Sequence, residues 1–175
     1  MSTYRYILLD WDGNLAKTLD IWLEACKVPL RSRGLDLADA DIAASFGAFA
    51  KHIREWGFED VDDIIDEADL LAKQKLPEVE LYPDALYVLE RLHASGKKLA
   101  LITTSPHENV DHLLDKYAIT QFFDVVIAGD DTKNHKPHPE PLEKAIEHMG
   151  ADKASCVMIG DSDKDLGAAH AAGVA

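Results

Sequence analysis

Two carboxylates follow a short apolar segment near the start of the sequence. Asp10 and Asp12 come directly after Ile7–Leu9, are separated by Trp11 and are followed by Gly13. Like charges this close at the end of a buried segment are costly, so they require a cation or a shared proton. The pair therefore indicates a site that does chemistry. From these residues alone, a strand followed by an ordinary Asp-Gly-Asn turn is the alternative interpretation.

Polar side chains also follow later apolar segments. Thr103, with Thr104 beside it, comes after the segment 99–102, and Lys136 lies in the sequence Lys-Pro-His-Pro-Glu-Pro. Prolines restrict the backbone around the lysine and so limit its approach to any partner. Taken singly, the threonine is typical of a turn or helix entry, and the lysine is typical of a surface loop. His135 and His138 lack metal-ligand spacing and are interpreted as loop residues.

A second acidic cluster lies close to the end of the sequence. Asp161 follows Gly160 after an apolar segment, and Asp165 comes four residues later. Carboxylate oxygens are the ligands that hard cations such as Mg²⁺ prefer. Asp165 has a structural alternative, because with Ser162 as the N-cap it occupies the third helical position of a capping box.

The segments that precede these groups predict four buried parallel strands. Each is continuously apolar rather than alternating, which is typical of strands covered on both faces. The last three alternate with helical patterns, which predicts a doubly wound, Rossmann-like α/β sheet. Since the carboxyl ends of parallel strands form the ligand crevice of such a sheet, the polar groups described above are expected to meet there. The predicted strands are Tyr6–Leu9, Leu99–Ile102, Val125–Ala128 and Cys156–Ile159.

Residues 16–80 predict helices rather than strands. We therefore expect a discontinuous α/β core, residues 1–15 and 81–175, with a helical domain of residues 16–80 inserted after the first strand. Within the insert, one helix is predicted through Phe46, Phe49, Ala50 and Ile53, ending at Gly57. In the core, the segment 105–108 (Ser-Pro-His-Glu) predicts a capping box at a helix start.

Composition and charge exclude some classes of partner. The 175 residues are 47% hydrophobic and 29% charged, and 18 basic against 32 acidic residues give a net charge of −14 at pH 7. This charge argues against nucleic acid or an anionic membrane as the partner, whereas a small anionic substrate is compatible if a lysine and a metal ion act locally. Cys26 and Cys156 predict reduced core residues. With no segment resembling a signal peptide at the start, we expect a cytoplasmic protein.

Taken in order, these segments resemble the haloacid dehalogenase (HAD)-like hydrolase superfamily, in its phosphoglycolate phosphatase and β-phosphoglucomutase branch. The resemblance implies that Asp10 is the nucleophile that accepts the phosphoryl group, and that Asp12 is the general acid and base. It implies that Thr103, with Thr104, binds the phosphoryl group and that Lys136 offsets the charge of nucleophile and phosphate. The helical insert matches the position of the family's first type of cap.

The resemblance also implies a magnesium site. Asp10, the backbone carbonyl of Asp12, and Asp161 would ligate Mg²⁺, while Asp165 would lie behind them or act through water. Asn14 departs from the Thr or Val that is usual after Asp-x-Asp-Gly, yet it can hydrogen-bond locally. The family would continue beyond Ala175 into a fifth strand, so we expect an uncovered sheet edge there.

We therefore expect a Mg²⁺-dependent phosphatase that hydrolyses a small phosphorylated metabolite through an aspartyl-phosphate. Two alternatives remain open at this point: a β-phosphoglucomutase-like phosphotransferase, and a non-catalytic binding or regulatory protein that retains the fold. In the helical insert, Arg54 is a candidate for contacting a carboxylate on the substrate, because its guanidinium can bind such a group through two hydrogen bonds. The sequence does not predict an oligomeric state.

Overall fold

A computed structural model describes residues 4–175 of the chain and contains one parallel sheet. The spatial order of its strands is β3-β2-β1-β4, so the first strand in sequence lies inside the sheet. This arrangement confirms the predicted doubly wound α/β fold. The strands are β1 (Tyr6–Asp10), β2 (Lys98–Ile102), β3 (Val125–Ile127) and β4 (Cys156–Ile159).

The register of the sheet aligns the carboxyl ends of its central strands. Leu8 pairs with Ala100 of β2 and Met158 of β4, and Asp10 pairs with Ile102 at the end of β2. The apolar residues of β1 are buried because strands lie on both of its edges and side chains pack on both faces. The polar residues that follow β1, β2 and β4 consequently lie along one edge of the sheet.

The chain divides into two compact units. One comprises the chain up to Lys17 together with Val79–Ala175, and the other comprises Thr18–Glu78. In the first unit, the small side chains Ala168, Ala169 and Ala172 join the buried core with Leu8 and other sheet residues. The helices of this unit are α5 (Ala85–Ala94), α6 (His107–Lys116), α7 (Glu140–His148) and α8 (Asp163–Ala172).

The second unit is entirely helical. Its apolar stripes meet in a core that contains Leu23 and Leu30 of the first helix, Ile53 of the third and Ile64 of the fourth. Its helices are α1 (Leu19–Ser32), α2 (Asp39–Ser45), α3 (Phe49–Glu55) and α4 (Val61–Lys75). Across the described part of the chain, every helix is too short or too polar to span a membrane.

Two local predictions were wrong. Phe46 does not belong to the helix of Phe49 and Ile53, because its backbone is extended (φ −58°, ψ 134°) and separates α2 from α3. The capping box at Ser105 does not form either: Pro106 is the N-cap of α6 and makes no side-chain capping bond. The hydroxyl of Ser105 instead has a partner in the candidate site.

Candidate active site

A buried lysine joins two carboxylates at the edge of the sheet. Lys136 Nζ donates to Asp10 Oδ1 at 2.5 Å, to Asp165 Oδ1 at 2.6 Å and to the Ile102 carbonyl at 3.3 Å. Lys136 is 8% exposed, Asp10 4% and Asp165 2%. The lysine is therefore part of a buried ion-pair network rather than a side chain of an exposed proline-rich loop. Breaking such a network leaves an uncompensated buried charge.

The pKa values in this cluster are set by burial and by the two carboxylates that share the amino group of Lys136. Burial, opposed by Lys136 and reinforced by Asp165 and Asp12, raises the pKa of Asp10 to about 7. Burial alone would lower the pKa of Lys136, but Asp10 and Asp165 outweigh it and hold that pKa above its ordinary value. Burial also works to raise the pKa of Asp165, yet Lys136 and Ser162 lower it overall. The single positive charge of Lys136 thus serves two buried carboxylates.

Asp12 is oriented by two hydroxyl groups from the segment after β2. Thr103 Oγ1 and Ser105 Oγ donate to Asp12 Oδ2 at 2.9 Å and 3.0 Å, and the Ser105 amide donates to Thr103 Oγ1 at 3.0 Å. Asp12 Oδ1 is buried and has no hydrogen-bond partner within residues 4–175. A buried acceptor without a partner is costly, so this atom is ready for a proton or a ligand.

Ser105 is the site residue that the sequence analysis missed. Its position one helical turn before Glu108 fitted a capping box, and this local pattern concealed its role. Thr103 was predicted to bind a phosphoryl group; in the structure its hydroxyl donates to Asp12, and the phosphoryl contact stays a prediction. Thr104 is exposed, and its predicted phosphate contact likewise stays a prediction.

Three carboxylates are close enough to share a cation. One oxygen each of Asp10, Asp161 and Asp165 lie within 4.8 Å of one another. Burial, reinforced by Asp165, raises the pKa of Asp161 although that side chain is exposed at the surface of the cluster. Gly13 permits the approach of Asp161, because a Cβ on this residue (φ +81°) would lie 2.2 Å from Asp161 Oδ2.

Asp165 forms the capping box that was its structural alternative and also binds Lys136, while its place behind a metal ion stays a prediction. Its Oδ2 accepts hydrogen bonds from the Ser162 amide at 3.1 Å and the Ser162 hydroxyl at 2.6 Å, which forms the capping box of α8. Its Oδ1 accepts the bond from Lys136. Both oxygens are thus engaged by protein donors, which leaves Asp10 and Asp161 as the cluster's more available ligands.

The two remaining predicted residues lie in different surroundings. Asn14 Nδ2 donates to the Asp10 backbone carbonyl at 3.0 Å, so the expected local hydrogen bond is present and tightens the turn after β1. Arg54 is exposed on α3, where Nη1 donates to the Ala50 carbonyl of its own helix at 3.2 Å. Its contact with a substrate therefore stays a prediction.

Comparison with known proteins gives a consistent result. A family model described as haloacid dehalogenase-like hydrolase matches residues 7–175. The chain is 42% identical to the pyrophosphatase PpaX of Halalkalibacterium halodurans over 96 residues, 55% of this chain and 45% of that protein. It is 44% identical to the phosphoglycolate phosphatase of Salmonella paratyphi A over 93 residues, 53% of this chain and 37% of that protein. The chain thus spans less than half of the length of these curated relatives.

Solved structures share the fold over almost the whole chain. The crystal structure of a candidate phosphoglycolate phosphatase from Lactobacillus plantarum matches with a TM-score of 0.85 and 26% identity. The match covers 98% of this chain and 84% of that one. The likeness therefore includes the helical unit as well as the sheet.

Proposed function

The chain belongs to the haloacid dehalogenase-like hydrolase family, and we propose that it is a phosphatase that hydrolyses a small phosphorylated metabolite through an aspartyl-phosphate on Asp10. The observation that carries the proposal is the pair of differently held carboxylates after β1. Lys136 binds the carboxylate of Asp10, whereas hydroxyl groups hold that of Asp12. One carboxylate is thus suited to attack and the other to proton transfer.

In the first half-reaction, Asp10 attacks phosphorus. Lys136 holds Oδ1 of Asp10 and so orients the carboxylate, and its positive charge reduces repulsion between the nucleophile and the anionic substrate. A bond forms between an Asp10 oxygen and phosphorus while the bond from phosphorus to the leaving oxygen breaks. Asp12 donates a proton from Oδ1, the atom without a partner among residues 4–175, to that leaving oxygen.

In the second half-reaction, water regenerates the enzyme. Asp12, now ionised, accepts a proton from water while the water oxygen bonds to phosphorus and the acyl-phosphate bond breaks. Inorganic phosphate leaves and the Asp10 carboxylate is restored. The two hydroxyl donors on Asp12 Oδ2 hold the carboxylate in position during this step and leave Oδ1 to face the water.

The residues of the site fit a magnesium ion. Asp10 and Asp161, together with the backbone carbonyl of Asp12, would supply oxygen ligands of the kind that Mg²⁺ prefers. Asp165 would support them from behind, because both of its oxygens are already engaged. When bound, the ion would offset the combined negative charge of the phosphate and the carboxylates.

The relatives suggest which substrates to test first. Two curated proteins that match about half of the chain are named for phosphoglycolate and pyrophosphate hydrolysis, so both compounds belong in the panel. We further propose that the helical unit selects the substrate, with Arg54 as the cationic contact for a second anionic group. A cytoplasmic location stays a prediction, consistent with Cys26 and Cys156 being unpaired and buried.

Phosphate release from a panel of phosphorylated metabolites tests the proposal. The wild-type protein is expected to hydrolyse at least one of them with Mg²⁺ and to lose activity with EDTA.

Asp10→Asn is expected to abolish turnover, whereas Asp84→Asn, the same change at an exposed position, is expected to have no effect. Mass spectrometry should detect a BeF₃⁻ adduct on Asp10. Activity that survives rigorous chelation or the Asp10→Asn change would contradict the mechanism, and transfer to glucose phosphate would favour a mutase.

A further inference from the structure

His107, the first residue of α6, lies between two carboxylates. Its Nε2 is 2.9 Å from Asp131 Oδ2, and its Nδ1 is 3.1 Å from Asp111 Oδ1. An ionised carboxylate can only accept a hydrogen bond, and a neutral imidazole has only one N–H group. Both contacts are satisfied together only when both ring nitrogens carry a proton. The arrangement therefore selects the imidazolium cation.

The imidazolium connects the segment after β2 with the segment after β3. Around it, the His107 amide donates to Asp130 Oδ1 at 3.1 Å, and the Gly129 amide donates to the Ser105 carbonyl at 2.9 Å. The two segments approach so closely that a Cβ on Gly129 would lie 2.2 Å from the Thr104 carbonyl oxygen. We call this set of contacts the His107 clasp. The two bonds that the His107 ring makes to Asp131 and Asp111 require the ring to be protonated, whereas the two amide bonds do not.

The clasp holds the residues that orient Asp12. Ser105 is two residues before His107, and its hydroxyl donates to Asp12 Oδ2 together with that of Thr103. We propose that His107 is a positioning residue: its imidazolium fixes the segment of Thr103 and Ser105, and through their hydroxyls it fixes the general acid Asp12. This inference rests on the proposed phosphatase function, because it assigns to His107 an effect on proton transfer by Asp12.

The charged groups around His107 set the direction of its pH dependence. Asp111 lies on its own helix, and Asp130 and Asp131 come from the segment after β3. Lys144 of α7 opposes them, since its Nζ is 2.7 Å from the Asp131 carbonyl and 3.8 Å from Asp131 Oδ1. The hydrogen bond that His107 donates to Asp111 raises the pKa of His107 above 6.5; burial opposes this rise, and the bond donated to Asp131 adds to it. The clasp is thus complete at a pH below 6.5 and is lost as the pH rises through the folded-state pKa.

Kinetics of His107→Gln measure the effect on the reaction. For an alkyl phosphate, whose leaving group needs protonation, we expect kcat of the variant to fall about 10-fold near pH 6, short of the roughly 10²–10⁴-fold effect of losing the acid itself. The ratio of wild-type to variant kcat should approach one at high pH, where the wild type has also lost the cation. With p-nitrophenyl phosphate the ratio should stay close to one throughout. His112→Gln, on the exposed face of the same helix, is the matched control.

Nuclear magnetic resonance separates this inference from the proposed function. In the wild type, the Ser105 and Gly129 amide signals should shift with the same midpoint as the His107 ring, above pH 6.5. Asp131→Asn should lower that midpoint. Amides that do not follow the ring, or a kcat ratio that is independent of pH in an active enzyme, would overturn the role of His107 and leave the phosphatase proposal intact. A wild type that hydrolyses no phosphate would overturn the proposed function, and with it the catalytic role of the clasp.

Discussion

Replacing Asp10 by Asn should stabilise the protein while it abolishes activity. The Asp10 carboxylate is 4% exposed and shares one lysine with Asp165. Burial, against the opposing effect of Lys136, raises the pKa of Asp10 from 3.8 to about 7. The folded protein therefore holds a proton on Asp10 more tightly than the unfolded chain does, and the ionised form lowers the free energy of unfolding.

The size and direction of the effect follow from this difference in pKa. Each pKa unit corresponds to about 1.4 kcal/mol, so ionised Asp10 costs the folded state on the order of 4 kcal/mol at alkaline pH. For wild type, this cost grows as the pH rises from 3.8 to about 7 and is constant above that. The uncharged amide of Asn avoids the cost but attracts Lys136 less strongly. We therefore expect a net gain of about 2–4 kcal/mol near pH 8.5 and less than about 1 kcal/mol near pH 4.5.

Urea unfolding in EDTA at the two pH values measures the gain. Asp84→Asn provides the control, since Asp84 is exposed at the start of α5 and its side chain makes no capping bond. Added Mg²⁺ should reduce the difference, because a cation at the cluster stabilises the wild-type carboxylate and not the amide. An Asp10→Asn variant less stable than wild type at alkaline pH, or a difference that does not change with pH, would refute this reasoning. Lys136 would then compensate Asp10 fully.

Further substitutions test the remaining roles. Asp12→Ala should lower kcat by roughly 10²–10⁴-fold for alkyl phosphates and much less for p-nitrophenyl phosphate; equal losses would indicate a structural role. Gly13→Ala, whose Cβ would meet Asp161 Oδ2 at 2.2 Å, should displace that carboxylate and weaken the apparent Mg²⁺ affinity, whereas Gly96→Ala, where a similar positive φ faces open space, should not; equal Mg²⁺ dependence of the two variants would contradict the displacement. Arg54→Ala should raise KM several-fold for a carboxylated phosphate ester and leave p-nitrophenyl phosphate unaffected; parallel changes would make Arg54 an ordinary exposed residue.

The strands were predicted almost to the residue because their signal is local and strong. Each is a continuous apolar segment that leads into a loop beginning with a polar residue or glycine, and Cys156–Ile159 agrees with the prediction at both ends. Because these strands are parallel neighbours, the residues that follow them, Asp10, Thr103 and Asp161, must lie along the same edge of the sheet. Helix boundaries in the second unit were harder, because the apolar spacing continues through Phe46 although the chain is extended there.

Side-chain partners distant in sequence could not be predicted in the same way. Ser105 fits a capping box with its immediate neighbours, but its hydroxyl binds Asp12, 93 residues earlier in the chain. A carboxylate acceptor outcompetes a local cap because bonds to an ionised group are stronger than neutral ones. The residues next to Ser105 in sequence give no indication of that carboxylate. The capping box of Ser162 and Asp165, by contrast, depends on neighbouring residues alone, and the structural alternative given for Asp165 is what forms.

The charges of the site explain why a phosphatase mechanism here calls for a cation. Asp10 and Asp165 share Lys136, and one oxygen of Asp161 lies within 4.8 Å of one oxygen of each of them. Burial raises the pKa of both Asp10 and Asp161, so a proton or a cation must balance the remaining charge. In the proposed mechanism, a proton on Asp10 would block its attack on phosphorus, whereas a divalent cation would keep its carboxylate ionised. In the proposed mechanism, the clustering of acids that lowers stability in the metal-free protein would thus be the same feature that prepares Asp10 for catalysis with Mg²⁺ bound.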